Sequence, residues 1–250
     1  MQKYGLQLYS VRDAMASDFD GTLKRVAELG YTYVEFAGFF DHSAEEVRSL
    51  LDKYGLTVVG THTGIQALKE EDLEETIRYH KAIGAPRLIV PAAKVDTVEA
   101  MDELVNTLNF AAPRLAEEGI KLGFHNHAVE FETAPWGKTP ISELESRTQC
   151  ELEIDTFWAW KAGSDPVNTI EALKDRISLI HLKDGFSDGK GMPLGEGDAP
   201  VAAVRKKALE LGYVIVVESE TLTPSGLDEA ERCIRYLRGL DAADCAAVNY

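Results

Sequence analysis

EGIKLGFHNH, residues 118–127, closes a helical pattern with a glycine, runs on as a short apolar segment and stops at two histidines one residue apart. The same phrase recurs as LGYTYVEF (29–36), YGLTVVGT (54–61), IGAPRLIV (83–90) and LGYVIVVE (211–218). Gly30, Gly55, Gly84, Gly119 and Gly212 fit the left-handed position that ends a helix, which a residue without Cβ adopts at no steric cost. The segments after them are apolar almost throughout rather than alternating, as parallel strands covered on both faces should be. Each phrase therefore reads as one αβ turn.

Counting every such segment yields eight candidate strands: Tyr4–Ser10, Tyr33–Gly38, Thr57–Thr63, Arg87–Ala92, Lys121–His127, Cys150–Thr156, Ser178–Asp184 and Tyr213–Glu220. Their starts lie roughly 24 to 35 residues apart, the length of a βα unit. Helix beginnings lie between them: Ser43 and Glu46 form a capping box, and Thr139-Pro140 and Asp165-Pro166 pair a cap with a first-turn proline. Eight such units point to a single α/β domain, a (β/α)8 TIM barrel over residues 1–239, followed by a peripheral tail at 240–250. An open doubly wound sheet is the alternative, but no G-x-G-x-x-G turn follows the first strand to favour a dinucleotide fold.

The chain has 250 residues, with 26 Lys+Arg against 42 Asp+Glu for a formal charge of -16. That field repels a phosphate backbone, so no nucleic-acid partner is expected. Three cysteines, Cys150, Cys233 and Cys245, have no close-paired spacing and suggest neither a disulfide framework nor a thiolate zinc site. The opening MQKYGLQLYS lacks a leader pattern, and no window approaches a membrane-spanning length of apolar residues. The expectation is a cytoplasmic protein without a membrane partner.

Barrel chemistry gathers where strands end. The fifth strand finishes in His125-Asn126-His127, the sixth in Glu153-Ile154-Asp155, the seventh in His181-Leu182-Lys183-Asp184 and the eighth in Glu218-Ser219-Glu220. Uncompensated charge after an apolar strand costs on the order of several kcal/mol. A divalent cation would compensate several of these groups at once. Residues two apart on a strand share a face, so His125 and His127 can both look inward while Asn126 looks away.

The strand endings FHNH, EIDTFW, IHLKDG and VVESE, with the loop MPLGEGDAP, resemble the sugar phosphate isomerase/epimerase family of xylose isomerase-like barrels, over about residues 4–239. The resemblance implies one divalent ion held by carboxylate, carboxylate, histidine and carboxylate from the last four strands. Asp155, His181 and Glu218 match three of these positions. The first falls on His125, where many relatives have glutamate, and Glu130 or Glu132 from the following loop is the alternative oxygen donor. The expected cofactor is Mn2+ first, then Co2+, Fe2+ or Zn2+. Mg2+ is the poorest fit, because it prefers oxygen and water.

A cation that chelates a carbonyl and its neighbouring hydroxyl acidifies the α-proton and stabilises the enediolate left behind. His127, Lys183, Glu153 and Glu218 are the candidate acid/base groups. Gln7, Glu35 and His62 on the first three strands, with Trp158 and Trp160 beyond Asp155, are the candidate substrate contacts. His42 and His80, in a loop and a helix, read as structural. The first expectation is a sugar isomerase or epimerase, and the alternative a lyase or dehydratase acting on a keto-sugar or keto-inositol. A non-catalytic sugar-binding barrel is the third reading. Ser187, Gly189, Gly191 and Thr223 offer backbone donors near the last two strands but few arginines accompany them, so a phosphorylated substrate is not assumed. The small-molecule partner is a carbohydrate, and Phe39 and Phe40 could serve a homo-oligomer contact or a lid.

Overall fold

The computed structural model describes residues 2–248, so Met1 and positions 249–250, at the two ends of the expected domain and tail, lie outside the described residues. Ten strands form among the described residues: β1 (Gly5–Gln7), β2 (Tyr33–Ala37), β3 (Thr57–His62), β4 (Arg87–Val90), β5 (Lys121–His125), β6 (Glu151–Asp155), β7 (Ile177–Leu182), β8 (Asp184–Gly185), β9 (Gly191–Met192) and β10 (Val214–Val217). Eight close into a barrel in the order β1-β10-β7-β6-β5-β4-β3-β2, and β8 and β9 make a separate two-stranded ribbon. Every barrel pairing is parallel. The (β/α)8 expectation is met, and the open doubly wound sheet is excluded by closure.

The local signals act as read. The five helix-ending glycines have φ between 65 and 97°. Ser43 and Glu46 form the reciprocal capping box, while Thr139 and Asp165 cap helices whose first residue is proline. The strands stop earlier than expected, so His127, Lys183 and Glu218 stand just past the ladder rather than within it. β1 is the shortest of the barrel strands because the Gln7 side chain accepts the Tyr9 N–H at 3.0 Å and turns the chain into a 3-10 helix, Leu8–Val11.

Most apolar burial lies between the strands and the surrounding helices, in two large clusters. A small third cluster, Val59, Ile89, Leu179 and Val216, comes from four strands. Leu179 and Val216 precede His181 and Glu218 by two residues, so they share the inward face and pack beneath the site. The register shifts between Val34 and Glu35 on β2 and between Leu152 and Glu153 on β6. Bulges re-aim the side chains that follow them, and here those side chains are two inward carboxylates.

The stretch from Leu240 continues the last helix, Gly226–Val248. Asp241 and Asp244 ride one turn apart and bind Arg205 at 2.7 Å each. Phe39 packs on Phe36 and Tyr79, leaving Phe40 as the more exposed of the two loop aromatics. No helix among the described residues is long and apolar enough to cross a membrane.

Candidate active site

β6 carries Glu153 and Asp155 on one face, both fully buried. Asp155 Oδ1 caps the short helix Thr156–Lys161 by accepting the Trp158 N–H at 3.0 Å. Its Oδ2 has no hydrogen-bond partner among the described residues. Asn126, between the two histidines, clamps the backbone of Asp155: Oδ1 accepts its N–H at 3.0 Å and Nδ2 donates to its carbonyl at 3.1 Å. So the residue that turns away from the barrel axis holds the neighbouring strand's carboxylate in place.

His181 of β7 is fully buried, with Nε2 2.6 Å from Glu35 Oε2 and 3.2 Å from Glu153 Oε2. Its Nδ1 lies 3.7 Å from Glu218 Oε2 and is also without a hydrogen-bond partner among the described residues. His125 places Nδ1 3.1 Å from Glu153 Oε2 and has Nε2 left to offer. Ligand atoms of His125, Asp155, His181 and Glu218 all lie within 4.8 Å of one another. A buried donor or acceptor left unpaired costs about 1–3 kcal/mol, so the orphaned Asp155 Oδ2 and His181 Nδ1 want a partner. The residues present therefore fit a divalent cation, with two imidazoles and two carboxylates as donors suited to Mn2+, Fe2+, Co2+ or Zn2+. Glu130 is spent elsewhere, accepting the His127 N–H at 2.7 Å, and Glu132 is exposed.

The charges follow from burial and crowding. Burial pushes the Asp155 carboxyl up to about 7, against the pull of Lys183. Glu35 also rises to about 7, through burial and then the charge of Glu153. Glu218 stays well below the usual carboxylate range: burial opposes this, but Lys183, His181 and His125 together outweigh it. Lys183 is 2% exposed, and its own burial is outweighed by Glu218, Asp155 and Glu220, which raise it and keep it protonated. Burial lowers His125 to about 3, and burial followed by the Lys183 charge lowers His127.

Above the quartet lies a cavity of about 370 Å³ lined by residues that include Tyr9, His62, His125, His127, Glu218 and Glu220. Trp158 borders the same region, with Lys183 Nζ 4.9 Å from its ring centroid and the His127 ring 5.8 Å away. Trp160 does not join them and lines a separate groove with Gly163, Asp165 and Pro200. Gln7 and Glu35 have no exposed surface; Gln7 Nε2 donates to Glu35 Oε2 at 3.0 Å beneath His181. Tyr9 carries no signal in the sequence, while Asn126 and Glu220 stand in the strand endings HNH and ESE with no role of their own assigned by that pattern. Of the backbone donors noted earlier, the Thr223 N–H is already taken by the buried Glu229 carboxylate at 2.7 Å, which also accepts from Ser219 and Thr221.

Among curated relatives, an inosose dehydratase of Geobacillus kaustophilus is 28% identical over 189 residues, 66% of this chain and 61% of that enzyme, so the chain spans less than two thirds of its length. A 2-oxo-tetronate isomerase of Haemophilus influenzae is 23% identical, over 81% of this chain and 88% of the relative. Among solved structures, a sugar phosphate isomerase/epimerase from Parabacteroides distasonis superposes with a TM-score of 0.83 at 21% identity, covering 95% of this chain and 98% of the other. The pattern of one family matches residues 23–240. By that match and its closed barrel, the chain belongs to the xylose isomerase-like TIM barrel family.

Proposed function

We propose that the chain is a divalent-metal-dependent isomerase or epimerase of a sugar or related polyhydroxy-carbonyl compound, working by removal of the proton beside the carbonyl. The observation that carries this reading is the convergence of His125, Asp155, His181 and Glu218 with two of their buried polar atoms unpartnered among the described residues. The relatives' names join isomerisation and dehydration, and both reactions begin with loss of an α-proton.

A divalent cation held by the four residues supplies Lewis-acid polarisation of the carbonyl and its neighbouring hydroxyl. Glu218, kept ionised by Lys183 and facing the cavity, is the base that takes the α-proton and returns it. Lys183, kept protonated, donates a hydrogen bond to the substrate oxygen that gains charge. His127, a half-buried imidazole on the same cavity, is the second proton-transfer group. Return of the proton by Glu218 to the adjacent carbon, with the hydroxyl proton passed to the former carbonyl oxygen, isomerises; delivery of a second proton from a protonated His127 to the opposite face, with Glu218 keeping the first, epimerises. Trp158 offers an aromatic wall to the apolar face of a sugar ring, and His62 a polar contact on the cavity lining. Glu153, with no exposed surface, acts on the surrounding imidazoles rather than on substrate. Because Glu229 occupies donors of the loop after β10, recognition there does not rest on a substrate phosphate.

Dehydration is the second reading, favoured by one feature: a buried, protonated Lys183 beside Glu218 is placed to give a proton to a departing β-hydroxyl. Incubating Mn2+-loaded protein with a panel of ketoses and keto-cyclitols in deuterated water separates the two. Exchange of the α-hydrogen on an intact skeleton supports the first reading, and an ultraviolet-absorbing unsaturated product the second. Absence of exchange and of elimination across the panel, with binding retained, would make the barrel a sugar-binding protein.

A further inference from the structure

His62, His125 and His181 stand at the corners of a nearly equilateral triangle, with ring centroids 4.9, 4.8 and 5.2 Å apart. One nitrogen of each points at a single oxygen: Glu153 Oε2 lies 2.6 Å from His62 Nε2, 3.1 Å from His125 Nδ1 and 3.2 Å from His181 Nε2. Hydrogen bonding satisfies this cluster poorly. His181 Nε2 has at most one proton for both Glu153 and Glu35, which lies 2.6 Å away. Glu35 Oε1 and Glu153 Oε1 are buried without a hydrogen-bond partner among the described residues. A tetrahedral zinc bound at about 2.0–2.1 Å would hold its ligand atoms roughly 3.3 Å apart, close to the 3.1 and 3.2 Å separations, while the 2.6 Å contact of His62 would have to open.

We propose that His62, His125, His181 and Glu153 form a second divalent-metal site, nitrogen-rich and fitted to zinc, one layer inside the Asp155/Glu218 site. His62 and Glu153 belong to the inner group alone, while His125 and His181 belong to both. His181 faces the two groups with different nitrogens, Nε2 inward and Nδ1 toward Glu218, so a neutral ring serves one ion at a time and ions in both groups at once would need it as an imidazolate. With an ion in the inner group alone the charge closes: a 2+ ion with neutral imidazoles is balanced by Glu153 and by Glu35 behind it. Three imidazoles and one carboxylate favour zinc over the harder cations. Gln7, donating to Glu35, completes an outer layer that keeps the inner ligands aligned.

The test uses the full chain, stripped with chelator and titrated with zinc sulfate. Asp155→Ala/Glu218→Ala removes the private ligands of the outer group. This variant is expected to bind about one equivalent of zinc, and addition of His62→Ala to weaken that binding on the order of 100-fold or more. If the double variant does not fold, cobalt titration of the otherwise unaltered chain replaces it. There, His62→Ala should abolish the intense visible absorption of tetrahedral cobalt while a bound ion remains at the outer group. Loss of all zinc binding in a folded Asp155→Ala/Glu218→Ala variant, or zinc and cobalt binding indifferent to His62→Ala, would overturn the proposal. Neither readout depends on turnover, so an inactive enzyme does not decide it.

Discussion

His181 Nε2 lies 2.6 Å from Glu35 Oε2, and that contact leaves Nδ1 as the nitrogen facing Asp155 and Glu218. Partners of this kind fix the tautomer and orientation of a ligating imidazole, and their loss costs about 10–100-fold in metal affinity. Glu35→Gln keeps the shape of the side chain and removes its charge. The expected outcome is a folded protein whose Mn2+ affinity, measured by calorimetric titration, falls within that range. Unchanged affinity would mean that His181 is held by packing alone.

Lys183 sits among Asp155, Glu218 and Glu220: Nζ is 3.4 Å from Glu218 Oε2, and it pairs with Glu220 as well. Breaking a buried ion pair from one side strands the other charges and costs about 3–5 kcal/mol. Lys183→Met is expected to lower stability by that order in urea unfolding of chelator-treated protein, and by less with Mn2+ present, since the cation then neutralises the same carboxylates. Its kcat should fall by about 10²–10³, as for loss of a donor to an oxygen that gains charge. A variant equally destabilised with and without Mn2+ would show that ion and lysine do not share those carboxylates.

The barrel was legible because its signals are local. A glycine that ends a helix and an apolar run that follows it lie within ten residues, and five repeats of that phrase imply the rest. Asp155, His181 and Glu218 were legible for the same reason, as polar groups closing apolar strands. Contacts across the barrel interior were not. Glu153 meets His62 across 91 positions and His181 meets Glu35 across 146, so nothing in the sequence near either residue reports the pairing. Trp158 and Trp160 both lie just beyond Asp155, and that closeness in sequence does not give them one direction. A helix begins at Thr156, where two steps of about 100° put them on opposite sides. The last helix continued past Leu240 because Asp241 and Asp244 find Arg205, a partner that composition cannot reveal.

Gly60 of β3 sits opposite Glu35 in the register, and a Cβ there would stand 2.5 Å from Glu35 Oε1 and 3.0 Å from Ile89 Cδ1. Glycine thus makes room for a buried carboxylate inside the barrel. Gly60→Ala forces Glu35 off His181, with the overpacking itself costing about 1–3 kcal/mol. The expected signature is a loss of Mn2+ affinity like that of Glu35→Gln, together with a lower Tm. If the double variant Gly60→Ala/Glu35→Gln loses as much affinity as the two changes added together, the residues act independently and the steric link is wrong.

His80, on the helix Glu70–Ile83, is 2% exposed, with Nδ1 2.7 Å from the Thr76 carbonyl and Nε2 2.7 Å from Thr61 Oγ1 and 3.1 Å from Thr63 Oγ1. Burial lowers its pKa below the ordinary histidine value of 6.5, the Thr76 carbonyl offsetting only part of that. Folded His80 therefore stays neutral at a pH where the unfolded chain binds a proton. Proton uptake by the unfolded state favours unfolding, so this contribution is present above about pH 6.5 and is lost as pH falls toward the lower folded value. His80→Gln keeps hydrogen-bonding capacity without a titrating group. Urea unfolding between pH 5 and 7 should show stability declining more steeply on acidification in the parent than in the variant, while His62 and His181 contribute equally to both. Parallel curves would mean that His80 takes up its proton in the folded state as readily as in the unfolded one.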